Sequence, residues 1–323
     1  MKKTLKVLLG AAILVTEVFA LALPILTTSA KADGAIQAIT HAGFGGGTDV
    51  TTRMMLLRTR RYLKQDMQLV NKKGGGGAAS MDYMMTLPAD GQHTLTWTTG
   101  HAVSMALGKT KVKLSDMQPL ARGTDDPQLF VVNCKNDIKD AKKFVSAQKS
   151  TSLKYGTTHV GGIDDVSAIA FTKKGKLTDP TIVAYKGVAP IKTNLIKGDI
   201  DVGVLNLGEA VTEIEDGTLC VAVVLASKRM EKLSNVPTAT ELGIPVVLST
   251  VRGFVTKKGV SAERAKTLED AMIKAMEHKY FQSFLTDIGL DATSVVGADE
   301  WGKQMEVMLA EMSSQLKALG YIK

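Results

Sequence analysis

Glycine is the residue type with the most chemical meaning in this sequence, because it gathers where strand-like runs give way to helix-like ones. The first such place is His41-Ala-Gly-Phe-Gly-Gly-Gly-Thr-Asp49. Glycine permits positive φ and lets another group come close to bare backbone. The first turn of a helix carries N–H groups with no partner inside the helix, and the helix dipole adds positive potential there. Thr48 and Asp49 are suited to capping that turn. The stretch therefore reads as a cradle of amides for an oxyanion, or as a tight strand-to-helix turn that holds nothing. A second stretch, Tyr155-Gly-Thr-Thr-His-Val-Gly-Gly-Ile-Asp-Asp165, repeats the order of strand, glycine turn, acidic residue and helix. Two such turns in different lobes, opening on one gap, suit an anion.

Other chemistries find less support. Gly43-Phe-Gly45 begins a G-x-G-x-x-G pattern, but its sixth position is Thr48, and no G-x-x-x-x-G-K-[ST] occurs, which argues against a nucleotide site. Zinc spacings and the G-x-S-x-G nucleophile elbow are missing. His41 and His159 sit at the two turns, where each is a hydrogen-bonding candidate or an ordinary polar residue. Asp125 and Asp126, adjacent in extended backbone, point to opposite faces and do not make an acid/base pair. Asp164 and Asp165 read as helix caps. The sequence supports no enzyme, no cofactor and no metal.

The elements that must hold these turns alternate. Strand-like runs fall at 36–40, 67–72, 93–99, 128–133, 152–156, 181–185, 200–205 and 219–226. Helix-like runs fall at 49–64, 77–87, 138–148, 163–173, 188–197, 208–215, 261–278 and 299–318. Such alternation predicts an α/β fold with parallel sheets. Val50, Met54 and Leu57 are spaced as the buried stripe of the first helix. In open α/β sheets, ligands sit beyond the carboxyl ends of strands, which is where both glycine turns lie.

The chain has 323 residues, enough for two lobes, with 45% hydrophobic and 22% charged residues. Lys2, Lys3 and Lys6 precede an apolar run that ends near Ala30-Lys31-Ala32, the pattern of an export signal over residues 1–32. An uncleaved anchor is the other reading, and Glu17 inside the run disfavours it. Cleavage would remove four lysines and one glutamate, taking the net charge from +8 to +5. The remaining basic residues are interspersed with acids, unlike a nucleic-acid footprint.

Five segments, in order, carry a resemblance. Gly43-Phe-Gly-Gly-Gly-Thr-Asp49, Val70-Asn-Lys-Lys-Gly-Gly-Gly-Gly77, Pro88-Ala-Asp-Gly-Gln-His-Thr-Leu95, Val183-Ala-Tyr-Lys-Gly187 with its sequel to Val204, and Val236-Pro-Thr-Ala-Thr-Glu-Leu-Gly243 are similar to motifs of one family. The sequence resembles the periplasmic substrate-binding receptors of tripartite tricarboxylate transporters, the Bug family, from Ile36 to its end. The resemblance implies a periplasmic-binding-protein-like fold of type II. Two lobes, each with a mainly parallel sheet flanked by helices, are joined by two crossover strands. It implies a small organic acid gripped between the lobes by a hinged trap and handed to a two-subunit membrane permease by a monomeric receptor. A sensor module of the same fold is the alternative. The implied ligand-binding residues are Phe44, Gly46, Gly47, Thr48, Asp49, Gly77, Ala78, Thr98 and Thr99 from one lobe, and Thr158, Gly161, Asp164, Tyr185 and Lys186 from the other. Ala78 stands where the family pattern has Asn, and Arg252 stands near a Trp position, as a charge clamp or a solvated arginine. Crossovers expected at 120–128 and 223–230 divide the chain into 33–124 with 228–323, and 125–227. Counting along those strands brings Cys134 near Cys220, as a disulfide or as two buried thiols.

Overall fold

The computed structural model describes residues 34–158, 160–318 and 320–322. The expected export signal and His159 lie outside the described residues. Both sheets belong to one compact unit that starts at Gly34.

The first half of the chain runs through β1 (Ile36–Thr40), α1 (Gly47–Leu63), β2 (Met67–Asn71), α2 (Ala78–Met85), β3 (His93–Thr98), α3 (Thr99–Ala106) and β4 (Met117–Pro127). It continues with β5 (Leu129–Asn133), α4 (Ala141–Ser150), β6 (Lys154–Thr157), α5 (Ile163–Lys174), β7 (Thr181–Ala184), α6 (Val188–Lys197), β8 (Val202–Leu205), α7 (Leu207–Glu215) and β9 (Leu219–Val224). It closes with β10 (Ser249–Lys257), α8 (Ala262–Glu277), α9 (Lys279–Asp287), β11 (Val296–Gly297) and α10 (Ala298–Ala318). One sheet has the order β11-β4-β10-β3-β1-β2 and the other β7-β6-β8-β5-β9. Each keeps a parallel core, β2-β1-β3 and β7-β6-β8, to which antiparallel strands are added. No helix among the described residues is long and apolar enough to cross a membrane.

The two lobes exchange chain where β4 passes into β5 and where β10 begins. There the Gln128 amide donates to Leu248 O, the Leu248 amide to Leu225 O, and the Leu225 amide to Gln128 O, all at 2.9 Å. Ser249 pairs with Pro127, Thr250 with Asp126 and Val251 with Asp125. The first crossing falls at the end of the expected 120–128. The return crosses near Leu248–Val251, not at 223–230. The earlier segment ends β9, and the chain after it stays with the same sheet, where Val224 bridges Thr238. β4 and β10 carry Asp, Arg, Pro and Gly, so the sequence does not announce the longest strand pairing of the molecule.

Helix α1 starts two residues before the expected Asp49, with Gly46 as its N-cap and no side-chain cap. Its buried face is Thr48, Thr51, Thr52, Met55 and Thr59, while Leu57 is 46% exposed, contrary to the expected stripe. Threonine tolerates this burial because three of the hydroxyls find acceptors, Thr51 on Gly47 O, Thr52 on Thr48 O and Thr59 on Met55 O, and that of Thr48 accepts from Arg252 Nε. The Thr52 and Thr96 hydroxyls, 2.8 Å apart, then fix α1 on β3. In the other lobe, Cys134 and Cys220 are joined by a disulfide with Cα atoms 5.0 Å apart. It lies beside the β5–β9 register in which Val132 faces Cys220.

Candidate functional site

The glycine loop after β1 is braced by its own acid. Asp49, in the first turn of α1, accepts from the Gly45 amide at 3.1 Å and pairs with Arg53 at 2.9 Å. Asp49 is thus a strut of the loop and does not cap the helix. Phe44 stands at the tip, 75% exposed, with Lys73 Nζ 5.2 Å from its ring centre. Gly46 and Gly47 leave the start of α1 bare. The loop after β6 is built alike. Asp164 accepts from the Thr158 amide (2.9 Å) and hydroxyl (2.6 Å), and Asp165 from the Gly161 amide. The N-cap of α5 is Gly162, so these acids hold the loop rather than cap the helix as expected.

A third group surrounds His101, a residue the sequence reading passed over. Its Nδ1 accepts from the Thr98 amide at 3.0 Å, which leaves the proton on Nε2, 3.0 Å from Ser80 Oγ. Ser80 donates onward to Gly77 O at 2.7 Å. Full burial, and then the neighbouring His41, push the His101 pKa well below 6.5, as the neutral tautomer requires. Gly77 has φ +107°, and a Cβ there would lie 2.8 Å from the His101 ring, so both conformation and space demand glycine. Ala78 is buried beside it. The Thr99 hydroxyl donates to Ser249 O and accepts from the Val251 amide, both at 2.9 Å, which ties the start of α3 to β10.

The deepest part of the site is ionic. Arg252 on β10 is 2% exposed. Its Nε donates to Thr48 Oγ1 (3.2 Å), Nη1 to Asp126 Oδ2 (2.9 Å) and Nη2 to Asn206 Oδ1 (3.1 Å). Asn206 in turn donates to the Asp126 and Pro127 carbonyls at 2.9 and 3.0 Å. It also begins α7 in a capping box with Glu209, whose Oε2 accepts from the Asn206 amide at 3.1 Å. Burial raises Asp126 to about 7 against the pull of Arg252, and burial likewise raises Glu209. A Cβ on Gly47 would lie 2.6 Å from Arg252 Nη2 and 3.3 Å from Glu209 Oε1. The network thus joins α1, β4 and β10 of one lobe to α7 of the other, with Arg252 inside it rather than solvated.

Among the expected residues, the structure brings Gly47 and Thr48 to this network and gathers Gly77, Ala78 and Thr98 around His101. Thr158, Gly161 and Asp164 form their own loop, and Lys109 of the first lobe comes within 3.3 Å of where a Gly161 Cβ would stand. Tyr185 packs its ring toward Gly156 and its amide donates to Thr157 O, while Lys186 is exposed. Asp126, Asn206 and Glu209 were not anticipated. Asn206-x-x-Glu209 is a capping-box pattern, and only that pair left a readable signal. No group of three His, Cys, Asp or Glu among the described residues is placed to hold a metal. A depression of about 550 Å³ lined by Lys266, Glu269 and Asp270 shares no residue with the glycine loops.

A family profile described as tripartite tricarboxylate transporter family receptor matches residues 51–319. Protein BugT of Bordetella pertussis is 25% identical over 254 residues, covering 76% of this chain and 77% of that protein. MatC from Rhodopseudomonas palustris, solved with bound malate, superposes with a TM-score of 0.79 at 22% identity, covering 87% of this chain and 98% of that one. A second R. palustris protein, solved with adipate, gives 0.80 at 21%, covering 88% and 97%. At these identities the superpositions establish the shared fold.

Proposed function

The chain belongs to the tripartite tricarboxylate transporter receptor family, a family of binding proteins rather than enzymes, and we propose that it captures a small carboxylate between its lobes in the periplasm. The observation that carries this reading is the arrangement of two helix starts. Gly47 and Thr48 open α1 with glycine backbone and no capping side chain, and α7 opens beside them from the other lobe. Amides from both lobes can then share one carboxylate, at roughly 1.5–3 kcal/mol for each hydrogen bond to the charged group. The malate and adipate bound to the two structural neighbours are acids of the size such a gap would take.

In this reading the lobes pivot at Asp126–Gln128 and Leu248–Thr250, dividing the chain into 34–125 with 251–322, and 129–247. Ligand touching both lobes favours the closed form by its differential affinity for it. The closed monomer presents its ligand to a two-subunit permease, after export and cleavage near Ala30–Ala32. Thermal-shift screening against mono-, di- and tricarboxylates is the test. A true ligand raises Tm progressively with concentration. A panel in which no carboxylate shifts Tm would overturn the proposal.

A further inference from the structure

One carboxylate of the protein already stands where an acid would bind. Helix α1 has 17 residues and opens with no side-chain cap, whereas α7 has 9 and opens in the Asn206–Glu209 capping box, beside the start of α1. Glu209, in the first turn of α7, accepts from the Asn206 amide through Oε2. Its Oε1 lies against the start of α1, 3.3 Å from the point a Gly47 Cβ would occupy, and the Gly47 amide favours its charged form. A side chain of one lobe thus meets the opening turns of two helices that belong to different lobes.

We propose that Glu209 is a built-in stand-in for the ligand carboxylate: it bridges the lobes and is displaced when an acid takes the amides at Gly47 and Thr48. The inference rests on the reading of this gap as a carboxylate site. Exclusion follows from charge and space. Arg252 pairs with Asp126 and its charge also acts on Glu209, so a third carboxylate at contact distance would face two acids that already draw on that one cation. The same space is tight enough that a Cβ on Gly47 would force the Arg252 guanidinium to shift.

Of the two acids, Glu209 is the one free to leave. Asp126 is 2% exposed on β4 and paired with Arg252 at 2.9 Å. Glu209 is only partly buried and rides on a flexible stem at a helix start. Glu209 then sets specificity. An acid that merely replaces it exchanges one set of hydrogen bonds for another and gains little. A longer acid whose second carboxylate reaches the Thr98 or Thr158 loop keeps the surplus.

Two measurements on the purified receptor test this. Small-angle scattering without ligand compares wild type, Glu209→Gln and Glu209→Ala. Titration by calorimetry compares acetate, malonate, succinate, malate and adipate. The expected result is a larger radius of gyration for Glu209→Ala and tighter binding of acids by roughly ten- to a hundred-fold. The largest relative gain is expected for acetate, with Glu209→Gln intermediate. An unchanged radius, or an acid that wild type binds being bound no tighter by either variant, overturns the proposal. If no form binds any acid yet Glu209→Ala still opens, the bridge stands and the carboxylate reading of the site fails.

Discussion

Arg252 and Asp126 stand 2.9 Å apart with side chains only 2% and 3% exposed, at the place where both crossing strands leave the first sheet. A buried pair of this kind contributes little beyond what well-packed apolar residues would, but losing one member strands the other in a dry site. Arg252→Met is therefore expected to cost about 3–5 kcal/mol in urea unfolding. Adding Asp126→Leu should recover most of it. Additive losses in the double variant would show that the two residues do not act as a pair.

Stability should carry the signature of Asp126. Its pKa is 3.8 when exposed and about 7 in the fold, because burial outweighs Arg252. Between those values the folded chain holds more protons than the unfolded one. This carboxyl's contribution is thus fully present below about pH 4 and is lost as pH rises to about 7, by an upper bound of about 4 kcal/mol. His101 works the other way, since its lowered pKa removes stability as pH falls below 6.5. The difference in Tm between wild type and Asp126→Asn cancels the histidine. Wild type should lose Tm relative to Asp126→Asn from pH 4.5 to pH 7.5, and a constant difference would refute the shifted carboxyl.

Gly77→Ala is expected to destabilise by about 1–3 kcal/mol, since it adds a strained φ to a contact with the His101 ring. The displaced ring loosens Thr98 as well, so affinity for any ligand should fall with stability. Gly217→Ala, also at positive φ but with open space around it, separates the two effects by lowering stability alone.

The Cys134–Cys220 bridge closes a sequence separation of 86 residues. Its reduction, or the Cys134→Ser, Cys220→Ser double variant, should lower stability by about 2–5 kcal/mol. Ligand affinity should change little, because both cysteines lie at the far end of β5 and β9 from the crossing. Intact mass before and after reduction, differing by two hydrogens, checks the bond itself.

The two glycine loops and the alternation of elements were legible in the sequence because both are local signals. A helical period of about 3.6 residues, sustained over the 16 residues of α8 and the 21 of α10, marks those helices, and glycine runs mark the turns. Of β4 only the stretch 120–128 was expected, as a crossover, and β10 was not expected at all. Their Asp126, Arg122 and Arg252 look like loop residues and are buried only because each strand is paired on both sides. The short α3 was read partly into the strand before it, since Thr99-Gly-His gives no helix periodicity. The ionic network escaped for a related reason. Arg252 meets partners 46, 126 and 204 residues away, and no local pattern encodes such a meeting.

The double hydrogen bond of the Thr99 hydroxyl to β10 has a mechanical consequence. Ser249 and Val251 flank the returning strand at its entry into the first sheet, so any bend there is transmitted through one side chain to the end of β3. In the proposed trap, recognition surface and axle are a single piece. An acid whose length forced a slightly different angle of closure would also shift Thr98 and Thr99, so the part on which the lobes turn would be the part that gauges the cargo.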